Sequence, residues 1–143
     1  MTRARYLSKS FGDNRDGTRA GLKCFIENLQ PKQTGVVLVP ALNSVSDTIL
    51  VDVLGENLSR QLIKDRHILL SNGSSIHLCS VATLKNFKHA DAYLALWASK
   101  ATIDAVEALP IWSVFTVVTW IASDASNWIS NHSVKVIFDD QKG

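Results

Sequence analysis

Ile111 to Ala122, IWSVFTVVTWIA, is a run of β-branched and aromatic residues that contains no charge. Side chains of this kind suit a pleated, packed surface better than a helix. Apolar and polar residues do not alternate cleanly along it, so the strand must be covered on both faces. Such strands lie in the middle of α/β sheets, between two layers of helices. The competing reading is a membrane helix, because Trp112 and Trp120 stand near the ends like an interfacial belt. Only 16 uncharged residues separate Glu107 from Asp124, and they include Pro110, Ser113, Thr116 and Thr119. A spanning helix needs about 20 predominantly apolar residues. The buried strand is the better account, and no membrane association is expected.

The rest of the chain supplies the elements such a strand needs. Asp16 reads as an N-cap, and Leu22, Phe25, Ile26 and Leu29 follow it at helical spacing until Pro31 ends the helix. Gly35 to Leu42, GVVLVPAL, is a second buried strand. Asn43, Ser44 and Ser46 then cap a helix carrying Ile49, Leu50, Val53 and Leu54, with Gly55 at its end and further helix over Leu58, Leu62 and Ile63. In HILLSNGSSIHLCS, His67 to Ser80, two apolar runs flank Asn72-Gly73, the dipeptide of a type I′ hairpin. Ile76 and Leu78 are placed on one face there, His77 and Cys79 on the other. Ala92 to Trp97 is another short strand, and Ser99 caps a helix with Ile103, Val106 and Leu109 on one side. After the long run, Ser123 caps a short helix with Ala125, Trp128 and Ile129 inward, and Val134 to Phe138 is the last strand.

This order predicts a three-layer α/β fold: a mostly parallel open sheet in a Rossmann-like or RecA-like layout, with one β-hairpin at or near an edge. At 143 residues the chain is expected to be a single domain with an adequate core, residues 1–16 forming a loose basic arm or a short edge strand. The net charge of +2 makes it no polycation. Cys24 and Cys79 fit no disulfide framework, and the first residues lack the apolar core of a secretory signal. A soluble cytoplasmic protein is the expectation.

In open parallel sheets, ligands bind beyond the carboxyl ends of the strands. Three polar clusters are placed there: Asn43, Ser44, Ser46 and Asp47; Ser99 and Lys100; Thr119, Ser123 and Asp124. Their hydroxyls and helix N–H groups would grip a phosphate or small polar ligand. Lys100 would be the countercharge, and Asp47 or Asp124 would meet a sugar hydroxyl or a metal-bridged oxygen. The same residues are also ordinary helix caps. GDNRDG, Gly12 to Gly17, has the G-x4-G spacing of a phosphate loop and precedes a helix. Thr18 and Arg19 follow, however, where Lys and Ser/Thr would reach phosphate and magnesium. AYLALW likewise runs into Trp97, Ala98 and Ser99 instead of an acidic pair. The layout is similar to a RecA-like nucleotide-binding core without the residues that do its chemistry. The G-x-G-x-x-G dinucleotide fingerprint is absent, and no cofactor is expected.

His77 and Cys79 share a face, with His67 and His89 as further imidazoles, yet the spacing matches no zinc signature and no metal site is expected. No G-x-S-x-G elbow marks a nucleophile. Arg3, Arg5, Lys9, Arg15 and Arg19, with Lys85 and Lys88, would form a nucleic-acid surface only if the fold gathered them. The leading expectation is a non-enzymatic binding or interaction protein acting through a partner protein, with a homodimer across an edge strand as one form of it. A phosphate- or nucleotide-binding domain and a nucleic-acid binder are the alternatives.

Overall fold

The computed structural model describes residues 3–12, 14–40, 51 and 53–140. Along the chain these form β1 (Ala4–Lys9), α1 (Arg15–Glu27), β2 (Thr34–Val39), α2 (Glu56–Asp65), β3 (His67–Leu69), β4 (Ser75–Ser80), β5 (Ala92–Ala98), α3 (Lys100–Glu107), β6 (Val114–Thr119), α4 (Ser126–Asn131) and β7 (Lys135–Asp139). Tight 3-10 turns at Val81–Asn86 and Ala122–Ala125 join β4 to β5 and β6 to α4. The strands make one seven-stranded sheet in the order β3-β4-β2-β5-β6-β1-β7, parallel except for the β3–β4 pair. The three-layer fold and the edge hairpin are as the sequence implies. In the Rossmann order the first strand sits beside the second. Here β1 lies between β6 and β7, so the strand order departs from that one.

Period-two alternation divides the core between the two faces of the sheet. On one face Val37, Val39, Leu94 and Val118 pack under α1 and α2 through Leu22, Phe25, Leu29 and Leu62. On the other, Val36, Leu38, Tyr93, Phe115 and Val117 pack under α3, α4 and the 3-10 turns through Leu84, Ile103, Val106, Ala125 and Trp128. β6 is therefore sandwiched, and Phe115, Thr116, Val117 and Val118 are all fully buried. The strand is shorter than the uncharged run: Trp112 is buried before it, and Trp120 follows it on the surface.

The structure corrects several local expectations. The amino-terminal segment is neither a loose arm nor an edge, because β1 carries parallel partners on both sides and buries Leu7 completely. Its short apolar content hid an interior strand. The α1 cap is Asn14, whose Oδ1 accepts from the Gly17 N–H at 2.9 Å; Asp16 sits in the first turn, where a carboxylate suits the helix dipole. The hairpin turn is not type I′. Gly73 N–H donates to the Leu70 carbonyl at 3.0 Å, Leu70 N–H donates to the Ser74 carbonyl at 2.8 Å, and of the Asn72-Gly73 pair only Gly73 has a positive φ, 89°. This is a three-residue loop with glycine in the left-handed position. Ser123 does not cap a helix, and Ile129 points outward on α4. Residues 41–50, which include the predicted caps Asn43, Ser44 and Ser46, lie outside the described residues.

Candidate functional site

The crossover faces locate where a crevice opens. α1 carries the chain from β1 to β2 on one face, whereas α4 connects β6 to β7 on the other. Neighbouring β6 and β1 therefore send their connections to opposite sides, which makes a switch point at their carboxyl ends. A second lies between β2 and β5, whose connections also diverge.

At the β1–β6 switch point the loop resembling a phosphate cradle is bonded within the chain. Phe11 N–H donates to Asp140 Oδ2 at 2.8 Å, and Asn14 Nδ2 reaches the same oxygen at 3.1 Å. Gly12 N–H donates to the Trp120 carbonyl at 2.7 Å, Asn14 N–H to the Gly12 carbonyl at 3.0 Å, and Thr18 N–H to the Asn14 carbonyl at 3.0 Å. Thr119, a predicted site residue, donates from Oγ1 to the Ser10 carbonyl at 2.9 Å and accepts from Ser10 N–H at 3.2 Å. Ser8 Oγ donates to the Gly17 carbonyl at 2.8 Å. Gly17 itself allows the close approach, since a Cβ there would run into Ser10 Oγ and lie 2.9 Å from Ser10 Cβ. Trp97, in the left-handed region at φ 54° beside a bulge in the β5–β6 pairing, donates from Nε1 to Thr18 Oγ1 at 3.2 Å. The N–H groups of Phe11, Gly12, Asn14, Gly17 and Thr18 are thus turned to acceptors of the chain itself.

Of the other described candidates, Ser99 and Lys100 also have structural partners. Ser99 Oγ accepts from Thr102 N–H and caps α3, while Lys100 Nζ pairs with Asp104 at 2.7 Å. Asp124 is half-buried in the 3-10 turn and Ser123 is exposed on it. Asn43, Ser44, Ser46 and Asp47 lie outside the described residues. The rim of the β1–β6 switch point is apolar: Phe11 is 51% exposed, Trp120 46% and Ile121 46%. Sequence reasoning assigned Trp120 and Ile121 to the buried strand; the strand ending at Thr119 is what releases them.

The basic residues are not gathered. Arg3 and Arg5 stand at the amino end of β1 and Lys9 is its last residue, roughly 20 Å from Arg3 along the strand, while Arg15 and Arg19 lie on α1. Lys9 pairs with Asp139 at 3.7 Å and Arg19 with Asp16 at 3.3 Å; Lys85 and Lys88 are exposed on the β4–β5 connection. Arg3 donates to the carbonyls of Leu109 and Pro110, and its guanidinium lies 4.1 Å from the Trp112 ring centroid. Arg5 forms a two-pronged bond to Glu107, Nε–Oε2 2.7 Å and Nη2–Oε1 3.0 Å, and Trp128 Nε1 adds a third donor at 2.6 Å. Burial alone would raise the Glu107 carboxyl, but these bonds, the Arg5 charge and His132 at 3.8 Å hold it below the ordinary carboxylate range. Burial pushes the Cys79 thiol up to about 12, against a weaker pull from the Thr83 hydroxyl, and raises Cys24 as well. Both cysteines are free.

Among the described residues no group of three or more His, Cys, Asp or Glu is placed to hold a metal ion. No helix among them is long and apolar enough to cross a membrane. No protein-family model matches the chain, and no curated protein matches it.

Proposed function

We propose that this chain is a non-catalytic binding module that acts through a partner protein docked at the carboxyl end of β1 and β6. The observation that carries the reading is the pairing of two features at one place. The phosphate-cradle loop spends its N–H groups on Asp140, Trp120 and Asn14, and the rim above it presents Phe11, Trp120 and Ile121 to solvent. Apolar aromatic rims of this kind are the usual anchors of protein interfaces. A nucleotide would have to displace the internal bonds before it gained any.

Two measurements test this. A thermal-shift panel of nucleotides and phosphosugars should leave the melting temperature unchanged. A true ligand at 100 times its dissociation constant would add about 2.7 kcal/mol, roughly 5–10 °C for a domain of this size. A reproducible shift of that order would replace the reading with the phosphate-binding one. Affinity capture with the wild-type chain should retain a partner that Trp120→Ser loses; equal retention by both sinks the proposed surface.

A homodimer is the second reading, favoured by the outer edge of β7. Antiparallel pairing of two copies about Ile137 would set Lys135 opposite the second copy's Asp139, and Val136, which is exposed, opposite the second copy's Phe138. Sedimentation velocity should then give a dimer that Lys135→Asp weakens through like-charge contact. A monomer at all concentrations removes this reading and leaves the partner-protein one standing.

A further inference from the structure

The register of the edge hairpin sets His67 of β3 directly opposite His77 of β4, the rings 5.1 Å apart between centroids and 23° from parallel. We propose that these two imidazoles form a binding site for a divalent late first-row cation, Cu2+ ahead of Zn2+, with water completing the coordination. Imidazole nitrogens suit these metals, and Cu2+ stands highest in the affinity order.

Three observations support it. The first is the span. A metal–nitrogen bond of about 2.0–2.1 Å puts each ring centroid about 3.2 Å from the ion, so two imidazoles have centroids about 5.2 Å apart at the tetrahedral angle of Zn2+ and about 4.5 Å apart at the right angle of a tetragonal Cu2+ site. The observed spacing needs only rotation of the rings about their own bonds, with no movement of the strands, and His67 is exposed and free to turn. The second is availability. No ring nitrogen of His67 or His77 has a hydrogen-bond partner among the described residues, whereas His132 faces Glu107. A neutral imidazole is the metal-binding form. The third is support from behind: the His77 ring rests on Phe87 at 5.8 Å, which limits where it can point. Cys79 lies on the same face but is buried in the core there, so the site is assigned to the two imidazoles alone. Two protein ligands leave open positions, so the site is an exchangeable one.

The test uses the full chain. Zn2+ is titrated calorimetrically, and Cu2+ is followed by electron paramagnetic resonance, which resolves coupling to coordinated nitrogens. The expected result is one ion per chain, coupling to two imidazole nitrogens, and at least a tenfold loss of affinity in His67→Ala. His67 is exposed, so that variant should fold; His77→Ala adds a second arm if circular dichroism shows it folded. His89→Ala and His132→Ala should bind as the wild type does. Unchanged affinity in His67→Ala, binding that follows His89 or His132, or a copper–thiolate absorption band would each overturn the assignment.

Discussion

Removing Glu107 tests how the two ends of the fold are tied together. Its carboxylate accepts three hydrogen bonds from residues far away in sequence, Arg5 on β1 and Trp128 on α4, and the Arg5 and Glu107 side chains are only 14% and 15% exposed. Glu107→Ala leaves a guanidinium without its countercharge and an indole N–H without an acceptor. Breaking a fully buried pair costs 3–5 kcal/mol; residual solvent contact here reduces this to about 2–3 kcal/mol, and the orphaned indole adds roughly 1 kcal/mol. The sum of about 3–4 kcal/mol is a large part of a typical stability of 5–15 kcal/mol. Glu107→Gln keeps an acceptor for Trp128 and should lose about 1–2 kcal/mol. Urea unfolding is the assay: with a slope of roughly 2 kcal/mol per molar, the Ala variant's midpoint should fall by about 1.5–2 M. The pH dependence gives a second handle. The Glu107 pKa is lowered in the folded state, so its stabilisation is present above the ordinary carboxylate titration near pH ~4.3 and is lost as pH falls through the folded value. The gap between wild type and Glu107→Gln should be full at pH 7 and shrink on acidification below about pH 4. A loss under 1 kcal/mol for the Ala variant, or a gap unchanged at pH 3, would mean that Glu107 does not hold β1 and α4 together.

Other substitutions separate packing from surface. Gly17→Ala drives a methyl into Ser10 and should cost about 1–3 kcal/mol, read by the same unfolding assay; a neutral result would mean α1 does not pack as closely as described. Phe115→Ala empties the centre of the sandwich beside Trp112 and Trp128 and should cost about 3–5 kcal/mol. Phe11→Ser and Trp120→Ser lie on the rim and should stay within about 0.5 kcal/mol of wild type in stability. Both thiols should react slowly with a disulfide reagent at pH 8 in the native state and fully in denaturant, since burial raises each pKa; a rapidly reacting native thiol would contradict this.

The fold was legible where side-chain chemistry is local. An uncharged β-branched run can only be an interior strand, and the helix between Leu22 and Leu29 declares itself by spacing. What escaped depended on partners distant in the chain. Tyr6 and Leu7 allow a short edge strand or a loose arm, and only the pairing with β6 and β7 on both sides makes that strand an interior one. The Arg5–Glu107 bond joins residues 102 apart, and no local pattern announces it. Cys79, expected on a half-exposed hairpin face, is buried because β4 pairs with β2 and the Val81–Asn86 turn folds over it. At the candidate site, the strand-end positions of Ser99, Lys100 and Thr119 were readable, but their engagement with Thr102, Asp104 and Ser10 was not. Neither was the release of Trp120 and Ile121 to the surface, which turns on where a uniformly apolar run stops pairing.

Five N–H groups of the loop between β1 and α1 are bonded to acceptors of their own chain, which leaves them no call on a phosphate. Amide chemical shifts of Phe11, Gly12, Asn14, Gly17 and Thr18, followed by nuclear magnetic resonance during titration with inorganic phosphate and with magnesium ATP, test it at the atoms concerned. These five signals should stay where they are at millimolar ligand. Saturable movement of the set, strongest at Phe11 and Gly12, would contradict this and restore the nucleotide-binding reading.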